Sequence, residues 1–201
     1  MEIRNIIFDL GGVLVSLDQR RCIEAMRKVG IDAIANYVEE RRTEDLFYEA
    51  EIGTITQHGF CEEVRRLTGT TPRDEDIVWA WNQLLGEITS ERKQRLWELK
   101  QKGFRLFLLS NTNVMHWQYC AEELFPDRFR VVEDYFEKVF LSYQMHLSKP
   151  NTDIFTEVLS EAGIEAEETL FIDDANANCQ AAESLGIHTY YNKRIDDWLS
   201  L

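Results

Sequence analysis

The amino-acid sequence predicts an α/β fold: a doubly wound parallel sheet with a small all-helical domain inserted after its first strand. Three observations predict this fold. Short, unbroken apolar runs recur along the 201 residues. Helical patterns with recognisable ends lie between the later runs. A long interval with helical spacing separates the first apolar run from the second.

Five short apolar runs predict the strands of the sheet. A run without polar alternation is typical of a strand that is buried on both faces, as in a parallel sheet covered by helices. The runs comprise residues 6–8, 106–109, 139–141, 170–172 and 189–191. Because strands and helices alternate over short connections, the sheet is predicted to be Rossmann-like.

Three helices are predicted between the later strands. Residues 90–102 carry two lysines near their end and are followed by Gly103, a helix-stop signal. A second helix is expected to take Pro150 into its first turn and to stop at Gly163. The third covers roughly residues 176–185.

The interval between the first two strands predicts a separate helical unit. A connection of this length is far longer than the usual 4–6 residues or so. Apolar residues recur there at helical spacing. Such patterns lie around Cys22, Leu46, Phe60 and Ile77. We therefore expect a core domain of residues 1–17 and 89–201, and a helical cap domain of residues 18–88.

Composition and charge exclude several classes of function. The chain holds 36 acidic and 22 basic side chains, a formal net charge of −14. Such a charge repels polyanions, so we expect neither a nucleic-acid partner nor an anionic membrane. No apolar stretch reaches the ~18 residues of a membrane span, and no signal peptide is evident. The four cysteines form no CxxC pair, which favours a reducing compartment, so we expect a cytoplasmic protein.

Polar residues follow four of the predicted strands. In an open α/β sheet the carboxyl ends of the strands line the ligand crevice, so these groups are expected to converge. Each group alone is a weak signal, because a single Asp after a strand often caps a helix. The four segments begin at Asp9, Ser110, Ser148 and Asp173.

Together the converging residues indicate chemistry on a phosphate. Asp9 is expected to be ionised at neutral pH and able to act as a nucleophile. Gly11 allows close approach of the backbone to an anion, and Lys149 supplies a positive charge. Asp9 and Asp174 offer the hard oxygen ligands that Mg²⁺ prefers. A carboxylate about 4 Å from one phosphate charge costs about 4 kcal/mol at an effective dielectric near 20, so cations are needed.

The order of these segments resembles the four-motif signature of the haloacid dehalogenase (HAD) superfamily of phosphohydrolases. The segments read DLGGV, LLSNTN, SKP and IDDANAN, and the resemblance covers the whole chain. The helical insertion is placed like that family's first-position cap. The resemblance implies a Mg²⁺-dependent phosphatase that acts on a small phosphorylated metabolite through an aspartyl-phosphate.

The same resemblance implies roles for individual residues. Asp9 would be the nucleophile, and Mg²⁺ would be bound by Asp9, the Gly11 carbonyl and Asp174. The transferring phosphoryl group would be held by two side chains and by nearby backbone amides. These are the side chains of Ser110 and Lys149 and the amides near Leu10, Gly11 and Asn111. Asp173 and Asn178 are interpreted as supports for the site. For Asp173, a contact with the substrate and a purely structural hydrogen bond stay open as well.

Two departures from the family pattern bear on the reaction. The family usually has a second Asp two residues after the nucleophile as general acid and base, but this chain has Gly11. Since such an acid contributes roughly 10²–10⁴-fold, its loss favours good leaving groups. This form of the motif is similar to a branch that includes sugar-1-phosphate phosphatases. The family's acid four residues after Asp174 is replaced by Asn178.

Three other functions stay open at this point. A 2-haloacid dehalogenase would use Asp9 without metal, although the acids Asp173 and Asp174 disfavour it. A sugar-phosphate mutase is disfavoured by Gly11. A phospholigand-binding module that has lost turnover would also explain Gly11.

Five further side chains are expected to be structural. His116 is placed on a helix surface, and Trp79 and Trp81 in the core of the cap. Glu49 and Glu51 could face the substrate, but are interpreted as solvated helix charges.

Overall fold

A five-stranded, fully parallel sheet forms the centre of the computed structural model, which describes residues 2–40 and 45–201. The strand order is β3-β2-β1-β4-β5, which confirms the predicted doubly wound sheet. All five strands lie where the apolar runs predict them. The strands are β1 (Asn5–Phe8), β2 (Arg105–Ser110), β3 (Lys138–Leu141), β4 (Thr169–Asp173) and β5 (His188–Tyr191).

The central strand β1 pairs with β2 on one side and β4 on the other. Its residue Ile7 is in register with Phe107 and with Phe171. All four β1 residues are buried, as an unbroken apolar run requires when helices cover both faces of a sheet. The carboxyl ends of β1, β2 and β4 therefore lie side by side.

Helices cover both faces of the sheet and form the insertion after β1. The insertion contains α1 (Gln19–Lys28), α2 (Asp32–Glu39), α3 (Asp45–Glu51), α4 (Gln57–Thr68) and α5 (Asp74–Asn82). The later helices are α6 (Ser90–Gln101), α7 (Val114–Tyr119), α8 (Val132–Tyr135), α9 (Ser142–Met145), α10 (Thr152–Ala162) and α11 (Asn176–Glu183). A π-helical turn, Cys120–Leu124, continues α7.

The start of α10 differs from the prediction. The helix begins at Thr152, so Pro150 precedes it and does not occupy its first turn. The reason is Asn151, whose side chain accepts a hydrogen bond from the Asp153 amide at 3.0 Å and caps the helix. The predicted end is correct, because Gly163 closes the helix in the left-handed conformation.

Successive residues of the strands build separate cores on the two faces of the sheet. Phe8 and Leu108 point into one apolar cluster, which also contains Trp198. Ile7 and Phe107 point into the other, beneath α10 and α11. The insertion has a third buried cluster, built from α1 to α5 together with Met115 of α7. All four cysteines are free and buried within the protein.

Two antiparallel segments join the insertion to the sheet. The Asp18 amide donates to the Leu84 carbonyl at 2.7 Å, and the Gly86 amide donates to the Ser16 carbonyl at 2.6 Å. The Asp18 side chain also caps α1 by accepting from the Arg21 amide. This pairing supports the expected division near residues 17 and 88, which stays a prediction. None of the helices in the described residues is long and apolar enough to cross a membrane.

Candidate active site

The candidate site lies at the carboxyl edge of the sheet, where three adjacent strands end. Asp9 directly follows β1, Ser110 ends β2 and Asp173 ends β4. Lys149 reaches the same place from the loop between α9 and α10. This edge includes the point where the strand order reverses on either side of β1, which is where doubly wound folds bind ligands.

Lys149 is the centre of a buried charge network. Its Nζ donates to Asp9 Oδ1 at 2.8 Å, to Asp173 Oδ2 at 2.7 Å and to the Leu109 carbonyl at 3.0 Å. The side chain of Lys149 is 1% exposed. Asn111 fixes its backbone, since the Asn111 amide donates to the Lys149 carbonyl at 2.8 Å and accepts from its N–H at 2.9 Å. The three ammonium donors are thereby all used, and the ammonium is held in place.

The Asp173 carboxylate is fixed in this network by hydrogen bonds of its own. Its Oδ1 accepts from the Ala175 amide at 2.7 Å, and Asn178 Nδ2 lies 3.0 Å from both carboxylate oxygens. With the bond from Lys149, both oxygens of this fully buried carboxylate are engaged. The geometry thus favours the supporting interpretation of Asp173 and Asn178, whose roles in the reaction stay predictions.

Burial controls the protonation of the site. It raises the pKa of Asp9 to about 7, an effect that Lys149 opposes and Asp173 strengthens. Burial alone would lower the pKa of Lys149, but the two carboxylates outweigh it and raise that pKa. Burial, followed by the charge of Asp173, also raises the pKa of Asp174. For Asp9 and Asp174 burial is the largest cause, and the charge of Asp173 adds to it. Three carboxylates and the Lys149 ammonium thus share this part of the site.

A divalent cation fits this excess of carboxylates. Oxygen atoms of Asp9, Asp173 and Asp174 lie within 4.8 Å of one another, and carboxylate oxygens are the ligands that Mg²⁺ prefers. Asp173 is already engaged, whereas no ion pair in the described parts of the chain includes Asp174. Asp174 lies against Gly12, where an added Cβ would come within 2.2 Å of its Oδ2. Asp9 and Asp174 are therefore the carboxylates best placed to hold the metal.

The predicted phosphate-binding residues come from the segment after β1, from the end of β2 and the residue after it, and from Lys149. Leu10 and Ser110 are buried, and the Ser110 hydroxyl donates only weakly, to the Asn111 carbonyl at 3.4 Å. An added Cβ at Gly11 would lie 3.4 Å from Leu17 Cδ1, so an apolar side chain stands next to the position of the missing acid. The structure thus brings the predicted residues together, and their catalytic roles stay predictions.

A cavity of about 520 Å³ opens between the insertion and the loop after β2. Its apolar and aromatic lining includes Leu17, Phe47, Trp81 and Leu84. Polar atoms come from both sides of the cleft, including those of Asn111 and Glu51. A cavity of this size and lining is typical of a small-molecule site.

His116 lines this cavity and corrects the expectation of a surface residue. It is buried and stacks on Trp81 with ring centroids 4.8 Å apart. Its Nε2 donates to the Trp81 carbonyl at 3.2 Å, so Nδ1 accepts from Asn113 at 3.2 Å. Burial lowers the pKa of His116 to about 4, which keeps the ring neutral. The sequence did not reveal this burial, because the insertion packs on α7 from far away in the chain.

The two tryptophans of the insertion differ from each other. Trp81 is buried in the core of the insertion, as predicted, and stacks on Phe47 with ring centroids 5.1 Å apart. Trp79 is 44% exposed, so its placement in the core was wrong. The buried face of α5 is formed by Ile77, Ala80 and Trp81, and Trp79 lies outside that face. The Lys28 ammonium lies 5.3 Å from the centroid of the Trp79 ring.

Known proteins are similar to this chain over nearly its whole length. The chain is 31% identical over 198 residues to a D-ribitol-5-phosphate phosphatase of Bacteroides thetaiotaomicron, covering 98% of this chain and 95% of that protein. A HAD family enzyme of the same organism, solved with magnesium and inorganic phosphate, has 42% identity and a TM-score of 0.92. The match covers 98% of this chain and 97% of that one.

A more distant structure shares the fold alone. The L-2-haloacid dehalogenase of Xanthobacter autotrophicus has 20% identity and a TM-score of 0.63, covering 93% of this chain and 76% of that one. The sequence profile described as haloacid dehalogenase-like hydrolase matches residues 3–186. The chain therefore belongs to the haloacid dehalogenase-like hydrolases, a family of enzymes.

Proposed function

We propose that the protein is a Mg²⁺-dependent phosphatase that hydrolyses a small phosphorylated metabolite, such as a sugar or polyol phosphate, through an aspartyl-phosphate on Asp9. The observation that carries this proposal is the placement of Asp9, which lies 2.8 Å from the buried Lys149 and within reach of Asp174. The two Bacteroides relatives support it, one by its name and one by its bound magnesium and phosphate.

The reaction proceeds in two displacements at phosphorus. An oxygen of Asp9 attacks the phosphorus, the bond to the leaving-group oxygen breaks, and that oxygen takes a proton from water. Water then attacks the aspartyl-phosphate at phosphorus, loses a proton to solvent, and releases inorganic phosphate and the Asp9 carboxylate. Ser110 and backbone amides near Leu10, Gly11 and Asn111 hold the phosphoryl oxygens during both steps. Lys149 joins them by exchanging its hydrogen bond to Asp9 for one to a phosphoryl oxygen.

The charge of the site explains the need for a metal. Asp9 has a pKa of about 7 without one, so a large fraction of it is protonated at neutral pH and unable to attack. When bound by Asp9, Asp174 and the Gly11 carbonyl, Mg²⁺ supplies charge that favours ionised Asp9 and offsets the phosphate dianion. Residues 131–201 hold 14 acids against 4 bases, so without a cation the field around the site repels phosphate.

Substitution of Asp9 tests this proposal. Hydrolysis of p-nitrophenyl phosphate and of a panel of sugar and polyol phosphates is measured with Mg²⁺ and with EDTA. The Asp9→Asn variant should lose activity by at least about 10³-fold, because its amide is not nucleophilic. Asp153→Asn, at an exposed position of α10, is the matched control and should keep full activity. Hydrolysis retained by Asp9→Asn, or equal rates in EDTA, would overturn the proposal.

The same panel separates the remaining alternatives. Release of chloride from a 2-haloacid in EDTA would favour a dehalogenase, and binding of phosphate without turnover would favour a phospholigand-binding module. Activity on anomeric phosphates above all others would support the predicted sugar-1-phosphate branch. We also propose the cytoplasm as the compartment, because all four buried thiols are free. Cell fractionation tests that point.

A further inference from the structure

We propose that Glu51 selects the leaving group by charge, so that the enzyme accepts phosphates of neutral, polyhydroxylated molecules and rejects those whose leaving group carries a carboxylate or a second phosphate. This inference rests on the proposed phosphatase activity and adds the chemical class of its substrates. It concerns the 520 Å³ cavity rather than the residues around Asp9.

The cavity leads away from the phosphate-binding residues towards the insertion. Asn111, which fixes Lys149, belongs to its lining, and so does Glu51 of α3. A phosphate held by Lys149 would therefore direct its leaving group into this space. The stacked rings of Phe47, Trp81 and His116 contribute an aromatic, largely apolar part of the cavity wall.

The backbone around Glu51 is anchored to the sheet domain. The Ser142 hydroxyl donates to the Glu51 carbonyl at 2.6 Å, and His146 Nδ1 lies 2.8 Å from the Ile52 carbonyl. At Gly53, with φ of 72°, an added Cβ would come within 2.0 Å of the Tyr143 carbonyl, so only glycine permits this approach. These contacts position the end of α3 without using the Glu51 side chain.

The Glu51 carboxylate has no partner among the residues that the structure describes. It forms neither an ion pair nor a hydrogen bond there, although it is half-buried in the cavity wall. Burial raises its pKa, and the charge of Lys149 acts in the opposite direction. His116, the other titratable ring of the wall, is neutral. The charge presented to a leaving group at this position is therefore negative.

Such a carboxylate distinguishes leaving groups by simple electrostatics. It accepts hydrogen bonds from hydroxyl groups, and it repels a carboxylate or phosphate in the same space. Repulsion between two like charges about 6 Å apart, at an effective dielectric near 20, lowers the rate for a charged leaving group roughly 100-fold relative to a neutral one. Screening by solvent at the cavity mouth reduces this factor to about tenfold.

Two matched substrates test the inference. Glycerol 1-phosphate and 3-phosphoglycerate have the same carbon number but differ by a hydroxymethyl group against a carboxylate. We expect kcat/KM of the wild-type enzyme to favour glycerol 1-phosphate by at least about tenfold. Glu51→Gln should reduce that preference about tenfold, and Glu51→Lys should reverse it. Glu49→Gln removes the same charge from an exposed position of the same helix and should keep the wild-type preference.

Hydrolysis of p-nitrophenyl phosphate separates the two proposals. If the Glu51 variants hydrolyse this aryl ester, whose leaving group carries no charged substituent, normally and still prefer glycerol 1-phosphate as the wild type does, charge selection by Glu51 is wrong and the phosphatase proposal stands. If the wild-type enzyme hydrolyses none of the three esters with Mg²⁺, the phosphatase proposal fails, and the inference fails with it. A thermal melt of each variant within about 2 °C of the wild type excludes misfolding as the cause.

Discussion

Replacement of Lys149 by Met should destabilise the metal-free protein strongly, and more so at alkaline pH. The change keeps the apolar stem but removes an ammonium that lies 2.8 Å from Asp9 and 2.7 Å from Asp173. Removing one partner of a buried ion pair typically costs about 3–5 kcal/mol, because the remaining charge is left buried without compensation. Here two carboxylates lose their cation, so we expect a loss in the free energy of unfolding of about 3–5 kcal/mol at pH 8.5.

The pH dependence of this loss follows from Asp9. Its pKa in the folded protein, about 7, lies above the ordinary value of 3.8, so its ionisation opposes folding as the pH rises through 7. Lys149 lowers that pKa, and in its absence the pKa rises further. Below pH 6 Asp9 is mostly protonated in both proteins and adds little to the difference in the free energy of unfolding between them. Above pH 7 each unit by which the variant raises the pKa of Asp9 adds about 1.4 kcal/mol to that difference.

Urea denaturation in EDTA at pH 5.5 and pH 8.5 measures both effects. The control is Lys138→Met, which breaks the exposed ion pair with Glu161 and should change the free energy of unfolding by less than about 1 kcal/mol at either pH. A loss below about 1 kcal/mol for Lys149→Met at pH 8.5, or a loss that shrinks as the pH rises, would contradict the account of the buried network.

Two further changes probe the metal site and the cavity wall. Gly12→Ala should weaken Mg²⁺ binding at least about tenfold in calorimetry, because the new Cβ would displace the Asp174 carboxylate 2.2 Å away. Gly30→Ala, at a similar positive φ in open space, controls for backbone strain, and equal Mg²⁺ affinity in both variants would refute this role of Gly12. Burial lowers the pKa of His116 to about 4, so folding requires the neutral ring. The wild-type protein should therefore lose about 3 kcal/mol in the free energy of unfolding as the pH falls from 6.5 towards 4. His116→Gln should remove that loss, and a difference between the two proteins that is independent of pH would contradict it.

The sheet and the residues at its carboxyl edge were predictable because their sequence signals are local. Strands buried on both faces appear as unbroken apolar runs, and the residues after them lie at the carboxyl edge of the sheet by topology alone. Asp9, Ser110 and Lys149 could therefore be placed together although they are far apart in the chain. The sequence left the role of Asp173 open, although the resemblance already assigned the neighbouring Asp174 to the metal. Hydrogen bonds to both oxygens of Asp173 favour the supporting role for it.

The cavity was not predictable, because it depends on how the insertion packs against the sheet. No pattern of apolar residues around His116 indicates burial, and Trp81, whose ring stacks on it, lies 35 residues earlier in the chain. Glu51 resembles a solvated helix charge when only α3 is considered. Its place in the wall follows from the contacts of its backbone with Ser142 and of Ile52 with His146. The short helix α2 was also missed, since its apolar pattern covers only two turns.

The strand order also determines when the protein can fold during its synthesis. β1 emerges first but occupies the centre of the sheet, and Asn5 finds its partner Thr169 only 164 residues later. At roughly 5–20 residues per second, the ribosome takes about 10–30 s to deliver that partner. The helices of the insertion can meanwhile pack on one another, and β2 can pair with one edge of β1, whereas the edge that β4 covers remains open. Chains that terminate before β4 would thus leave an apolar strand edge exposed and prone to aggregation.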